Sequence, residues 1–271
     1  MTILVTGATA NIGRKVVDHL LAAGHTEVRA LTTDPRKAAL PAGVEVFEGY
    51  LRRPATLPAA FDGVERVYLA PTPDTVAEVL ALARAAGVKH VVDLSGEPES
   101  WWGTVSTAVE DSGLAWTHLW PADFMENTLT WSQQIRDTAT IREPYPDTAT
   151  APIAMDDIAA VAATALLSDT HQGRAYPLAG PEILSRTALV AHLATALGRE
   201  LAFRQSSREE TIAALTPTMG DNAVWYVDNV LTDYAPDPGT LPITSVQDIT
   251  GRPATTFAEW AATNASRFLA P

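Results

Sequence analysis

Residues 1–14 read M-T-I-L-V-T-G-A-T-A-N-I-G-R, and they constrain the fold more than any other stretch. An apolar run, Ile3 to Val5, stops at Gly7. Six residues later Gly13 opens an amphipathic segment with Val16, Val17, Leu20 and Leu21 at helical spacing. Strand, glycine turn and helix N-terminus in that order make a seat for a dinucleotide pyrophosphate. Backbone N–H groups at the helix start point at the phosphates, and the helix dipole favours their charge. The spacing is Gly7-x-x-Ala10-x-x-Gly13, and the strand–turn–helix context is what gives such a motif weight. The competing reading is a plain βα turn that binds nothing.

The rest of the chain continues the alternation. Strand-like runs at 3–6, 28–31, 44–47, 66–70, 90–94 and 116–119 are interleaved with helical patterns at 11–23, 54–61, 74–86 and 103–112. Regular βα alternation implies an α/β fold with a doubly wound parallel sheet, ligands lying at the carboxyl ends of the strands. Beyond Pro121 the pattern loosens. Helices are expected at 156–167, capped by Asp156 or Asp157, at 185–197, ended by Gly198, and at 257–268. Proline-rich stretches at 144–152 and 236–242 read as loops. Residues 1–150 are therefore taken as a dinucleotide-binding core, and 151–271 as a small substrate-facing subdomain continuous with it.

Composition narrows the function classes. The net charge of −13, from 32 acids against 19 bases, argues against direct nucleic-acid binding. With no cysteine, disulfides, thiol nucleophiles and cysteine-ligated metals are excluded. The six histidines show no metal spacing, and His118 reads as a structural strand residue; no metal is expected. The chain has neither a G-x-S-x-G elbow nor a P-loop. It enters a strand at once, without a leader, and carries no apolar run of about 20 residues. The expectation is a soluble cytoplasmic protein, monomer or homodimer, acting on a small molecule, with neither nucleic acid nor membrane as partner.

The opening stretch resembles the NmrA-like branch of the atypical short-chain dehydrogenase/reductases, whose usual text is T-G-A-T-G-x-I-G-R. The likeness extends through Val44–Gly49, Gly87–Val92, Ser112–Thr117, Phe124–Asn127, Asp156–Ala159 and Gly180–Glu182. It implies a Rossmann core binding NADP or NAD, with a lean to NADP. The implied cofactor residues are Gly7, Thr9, Ala10, Asn11, Ile12 and Gly13 at the phosphate turn. Thr32, Thr33 and Arg36 follow the second strand, and Tyr50 and Leu51 the third. Ala70 and Pro71 end the fourth strand, Ser95 the fifth, and Pro121 and Phe124 follow the sixth.

The departures from family text matter as much. Ala10 stands where the middle glycine lets backbone approach the pyrophosphate. Thr33 replaces the arginine that clamps the 2′-phosphate of NADP, leaving Arg36 to substitute from the next turn. Asp34-Pro35 reads as a helix N-cap followed by proline, and Arg29 as a solvated strand residue. Tyr50 replaces the aspartate facing adenine; it either stacks on the base or fills its slot. The superfamily's Tyr-x-x-x-Lys pair is impossible, because no lysine follows Lys89. The equivalent spacing reads Trp102-Gly103-Thr104-Val105-Ser106.

Five of seven tryptophans fall between Trp101 and Trp131. Trp101 or Trp102 is expected to face the substrate, which suits a planar or polycyclic compound. Ser95, Tyr145 and Asp123 are the candidate catalytic groups, and Glu126 and Asn127 candidate substrate contacts. Asp123 and Glu126 have an equal claim as first-turn helix acids. The function that follows is an NAD(P)H-dependent reductase delivering hydride to a quinone, enone or imine. The rivals are a non-redox cyclase, dehydratase or isomerase in biosynthesis, and an NAD(P)-sensing regulator.

Overall fold

Short apolar runs bounded by glycine and proline become strands covered on both faces. In the computed structural model, which describes residues 1–100, 102–231 and 245–270, Ile3, Leu4 and Val5 are wholly buried. In chain order the strands are β1 (Ile3–Val5), β2 (Val28–Thr32), β3 (Glu45–Glu48), β4 (Arg66–Leu69), β5 (His90–Leu94), β6 (Ala115–Pro121), β7 (Thr140–Glu143), β8 (Ala149–Thr150), β9 (Arg174–Leu178), β10 (Leu184–Ser185) and β11 (Ala202–Gln205). The α-helices are α1 (Asn11–Ala22), α2 (Pro58–Phe61), α3 (Val76–Ala85), α4 (Gly103–Asp111), α5 (Ser132–Thr138), α6 (Met155–Leu167), α7 (Arg186–Leu197), α8 (Arg208–Met219), α9 (Asn222–Asn229), α10 (Ser245–Thr250) and α11 (Phe257–Leu269).

The chain divides into two compact units interleaved in sequence, whereas the expected division drew one boundary at residue 150. The first comprises Met1–Pro121, Met155–Leu178 and Ser245–Arg252. Its sheet has seven strands, all parallel, in the order β3-β2-β1-β4-β5-β6-β9. The strand order reverses between β1 and β4, so their carboxyl ends flank the crevice where such sheets take ligands. α1 packs with α6, and α3 with α4. Leu4, Leu31, Phe61, Leu69, Val79, Val91 and Val109 belong to one buried cluster of this unit.

The second unit comprises Ala122–Ala154, Ala179–Thr244 and Pro253–Pro271, of which 232–244 and 271 lie outside the described residues, as does the 236–242 loop expected from sequence. Among its described residues, β7 pairs with β11 in parallel and β8 with β10 antiparallel. Trp131, Ile141, Leu189, Leu193, Phe257 and Phe268 form its core. Gly180 donates its N–H to the Ala151 carbonyl at 3.0 Å, and any Cβ there would run into the Pro152 carbonyl oxygen.

Several local expectations are corrected. The segment 54–61 is two short helices, a 3₁₀ turn at Pro54–Thr56 and α2, each begun by its own proline. The irregular stretch after Pro121 holds a 3₁₀ helix, Met125–Trp131, running into α5. Arg29 is not solvated: it bonds Glu45 and the Ala60 and Asp62 carbonyls and lies over the Phe47 ring. α6 begins at Met155, so Asp156 and Asp157 occupy its first turn and do not cap it. Asp157, fully buried, pairs with Arg252 at 2.7 Å. No helix among the described residues is long and apolar enough to cross a membrane.

Asp156 ties α6 to α1. It lies 3.2 Å from His19 Nε2 and 3.5 Å from Lys15 Nζ. The His19 hydrogen bond, with these charges and Arg252 opposing burial, pulls its pKa down to about 2. A depressed carboxylate stabilises the fold above its ordinary pKa and loses that contribution as pH falls through the folded value. Asp156→Asn should therefore cost ~1 kcal/mol or less near pH 5, since the group is half exposed. In urea unfolding the gap from the parent should close between about pH 4 and about pH 2. A gap that persists at the acid end would remove the carboxylate's charge from the account.

Candidate cofactor site

The phosphate turn is built by constraints acting on β1 and α1. Thr6 Oγ1 donates to the Tyr68 carbonyl at 2.9 Å and accepts from the Ala70 N–H at 2.8 Å, fastening the ends of β1 and β4 together. Gly7 follows at φ +58°, the left-handed region, with Ala70 Cβ close to where its own Cβ would stand. The Ala10 N–H closes the turn on the Gly7 carbonyl at 2.8 Å. A Cβ on Gly13 would collide with that same carbonyl. Gly13 thus serves close packing of helix on turn.

Ala10 is the N-cap of α1 and has no side chain to cap it. Ser185, Ser207 and Thr256, by contrast, each cap their helices with a hydroxyl. The first-turn amides of Asn11, Ile12 and Gly13 are therefore left for another acceptor. Asn11 is exposed at this end, and Ile12 is buried beneath it.

At the carboxyl ends of β1, β2, β3 and β4 lies a cavity of about 260 Å³. Eight of the residues expected to bind cofactor line it: Gly7, Thr9, Thr32, Thr33, Tyr50, Leu51, Ala70 and Pro71. The structure adds Arg52 and Thr72, which the sequence reading missed. Thr33, Gly49 and Tyr50 are shared with an adjoining groove that Glu48, Arg53 and Thr56 also line. A groove of about 660 Å³ beside α3 and α4, lined by Ala77, Leu80, Arg84 and Ala108, lies elsewhere and holds none of the expected residues.

The cavity's polar groups divide into those already committed and those left available. Thr32 is buried, 3.1 Å from Thr9 Oγ1, and accepts from the Asp34 N–H at 3.3 Å. Asp34 caps the short helix Pro35–Lys37 by accepting from the Arg36 N–H. The Arg36 side chain is 93% exposed, 3.6 Å from Asp34, and does not line the cavity. The turn at 50–53, closed by the Arg53 N–H on the Tyr50 carbonyl at 2.7 Å, presents half-exposed Tyr50 together with Arg52. The adjacent arginines at 52 and 53 were the available sequence signal for this cation.

Ser95, at the end of β5, is buried. The Tyr-x-x-x-Lys position is filled by other work: Ser106 on α4 shares its hydroxyl proton between the Gly96 and Gly103 carbonyls, at 3.0 and 2.9 Å. Trp102 precedes α4 and is 38% exposed; Trp101 lies outside the described residues. Pro121 ends β6, half-buried. Trp116 and Trp120 are stacked on His118.

In the second unit, Phe124 is the N-cap of the 3₁₀ helix and Glu126 lies in its first turn, accepting from Trp260 Nε1 at 3.2 Å. Asp123 accepts from Asn127 Nδ2 at 2.6 Å and faces Arg186 at 3.6 Å. Arg186 is buried between Asp123 and Glu143, and Glu143 also accepts from Trp131 Nε1. Burial pushes the Glu143 carboxyl up, against the pull of Arg186 and Trp131. Tyr145 is exposed in the segment between β7 and β8. Among the described residues no cluster of histidines and acids could hold a metal ion.

Residues 7–97 match the model of an NAD(P)H-binding family. Over 98% of this chain and 99% of each relative, the sequence is 36% identical to a (4-alkanoyl-5-oxo-2,5-dihydrofuran-3-yl)methyl phosphate reductase of Streptomyces griseus and 38% identical to an NAD(P)H azoreductase of Xenophilus azovorans. An NADPH-dependent quinone oxidoreductase of Escherichia coli, solved with NADPH, superposes with a TM-score of 0.79 at 25% identity, covering 97% of this chain and 99% of that one. The seven-stranded parallel sheet, the glycine turn at its switch point and these end-to-end relatives agree, and the chain belongs to the NmrA-like atypical short-chain dehydrogenase/reductase family of NAD(P)H-binding proteins.

Proposed function

We propose that this chain is an NAD(P)H-dependent reductase acting on conjugated or aromatic small molecules such as quinones, enones and imines. The observation that carries this reading is the crevice at the β1/β4 switch point, lined by the glycine turn and the carboxyl ends of four strands, together with the uncapped N-terminus of α1 that follows that turn. Support comes from the relatives, which are reductases of a furanone phosphate and of azo compounds and an oxidoreductase of quinones.

The residues present fit the cofactor. The amides of Asn11, Ile12 and Gly13 hold the pyrophosphate, with Gly7 and Ala10 keeping the approach clear. Tyr50 stacks on the adenine. Thr33 and Arg52 receive the 2′-phosphate, which favours NADP over NAD: Arg52 supplies the charge that Thr33 lacks, reaching it from the third strand instead of the second. When bound, the nicotinamide supplies the hydride.

Without a tyrosine–lysine pair the protein has no strong acid to offer an alkoxide. Acceptors that delocalise negative charge need none, which is why quinones and enones suit this site. Trp102, half-exposed before α4, is the residue of the first unit that we assign to substrate recognition.

Two binding experiments and one kinetic experiment test the reading. Arg52→Ala should weaken NADPH binding about tenfold, the worth of one charged hydrogen bond, and leave NADH nearly unchanged; equal losses would move the phosphate elsewhere. Ala10→Gly should tighten both nucleotides by roughly threefold by easing backbone approach, and weaker binding would mean that Ala10 is not at the pyrophosphate. With NADPH deuterated at the transferred position, quinones and enones should become labelled and turn over far faster than aliphatic ketones. Product formed without label or nicotinamide consumption would replace the reductase with a non-redox enzyme. Nucleotide binding with no turnover would leave a sensor.

A further inference from the structure

The groove that adjoins the cofactor cavity holds two charges the reading above leaves unused. It measures about 420 Å³ and shares Thr33, Gly49 and Tyr50 with the cavity, so the two spaces meet at the residue assigned to the 2′-phosphate. Glu48 and Arg53 line this groove and not the cavity. Glu48 ends β3, and the β2–β3 register sets it beside Thr32, one residue before Thr33. Gly49 follows, its N–H donating to the Thr32 carbonyl at 2.9 Å; a Cβ there would meet Leu31 Cδ1 at 2.7 Å. Beyond it the Tyr50 N–H donates to Thr56 Oγ1 at 3.0 Å, and that hydroxyl donates to the Arg53 carbonyl at 2.8 Å. The backbone that carries Glu48 and Arg53 is thereby fixed, while both side chains are exposed.

Neighbouring charges are spent on one another. Glu45 lies 3.0 Å from Arg29, and Asp34 lies 3.6 Å from Arg36 and 3.7 Å from Lys37. Among the described residues the side chains of Glu48 and Arg53 have neither an ion-pair nor a hydrogen-bond partner, although they line one groove. The two signs recognise different ligands. A carboxylate at the adenosine end of a Rossmann fold accepts from a free ribose 2′-hydroxyl and repels a 2′-phosphate. A guanidinium grips the phosphate with a fork of charged hydrogen bonds and gains little from a hydroxyl. This groove presents both, held apart, so each is open to the ligand that suits it.

We propose that Glu48 and Arg53 set the balance between NADH and NADPH, and that Glu48 is the residue that keeps NADH usable. The proposal rests on the reductase reading, which puts the adenosine end of the dinucleotide at Thr33 and Tyr50. Towards NADH, Glu48 accepts a hydrogen bond from the ribose 2′-hydroxyl. Towards NADPH, Arg53 meets the 2′-phosphate from the groove as Arg52 does from the cavity, and the Glu48 carboxylate opposes it. Neither cofactor is excluded, and the lean to NADP stays small. The charges that discriminate thus come from the end of β3 and the turn after it, where Thr33 at the end of β2 supplies none. Both residues act far from the reacting atoms, so they change nucleotide affinity and leave the chemical step alone.

Calorimetric titration with NADPH and with NADH gives the ratio of their Kd values, and 2′,5′-ADP against AMP repeats the comparison on the adenosine end alone. Glu48→Gln should tighten NADPH and 2′,5′-ADP by about threefold to fivefold, the worth of removing one exposed like charge. It should weaken NADH by about threefold, because the hydroxyl loses a charged acceptor. The ratio then moves about tenfold towards NADPH. Glu48→Lys, which reverses the charge, should move it further in the same direction. Arg53→Ala should weaken NADPH by about fivefold and leave NADH within about twofold. Raising the salt should shrink the gain of NADPH in Glu48→Gln, since exposed charges are screened. A ratio that neither Glu48 variant moves, or equal changes for both nucleotides in the Glu48 or Arg53 variants, would overturn the proposal. In that event a selective loss of NADPH in Arg52→Ala would leave the reductase reading standing. A parent that binds neither dinucleotide would overturn both.

Discussion

The turn after β1 is the constraint from which the rest of the first unit follows. Thr6 fixes the ends of β1 and β4 to each other, Gly7 reverses the chain in a left-handed conformation, and α1 settles so closely that Gly13 has no room for a Cβ. That packing brings the start of a twelve-residue helix to the place where the strand order reverses. Helix dipole, free amides and crevice are thus products of one steric arrangement. It also separates two roles that the glycine spacing runs together: Gly7 and Gly13 hold the turn, and Ala10 is the N-cap that leaves the helix start uncapped.

Much of the first unit was legible in the sequence because its signals are local. Apolar runs of three to five residues, each followed by glycine, proline or a helical period, locate the strands and α1, α3 and α4 to within a few residues. Asp34-Pro35 predicted a capped turn, and Gly198 a left-handed helix end; both are present. The second unit was far less readable. Its 3₁₀ helix and α5 carry no clean period, its strands are two to four residues long, and they pair with partners dozens of residues away. Helices α8 and α9, too, are held by a local cluster around Leu215 and Tyr226 that shows only in three dimensions.

The candidate site divides along the same line. The phosphate turn was readable because backbone geometry dictates its residue types. Arg52 was not, because the family pattern puts its arginine after the second strand, whereas here an arginine lines the cavity from the turn after the third. Of the concentrated tryptophans, Trp131 is core, bonded to Glu143, and Trp116 and Trp120 stack on His118. His118 read as a structural strand residue because a lone histidine in an apolar strand carries no sign of partners on β5 and α4. Ion pairs between distant segments, Arg186 with Asp123 and Glu143 among them, have no spacing to announce them.

The central claim is that a dinucleotide sits at the β1/β4 switch point with its pyrophosphate on α1. Titrating nitrogen-15-labelled protein with NADPH and following backbone amides tests it most directly. The account predicts saturable binding with the largest shifts at Asn11, Ile12 and Gly13, accompanied by Tyr50 and Arg52 and absent from the α3/α4 groove. No binding, or shifts that leave the 11–13 amides unmoved, would contradict it.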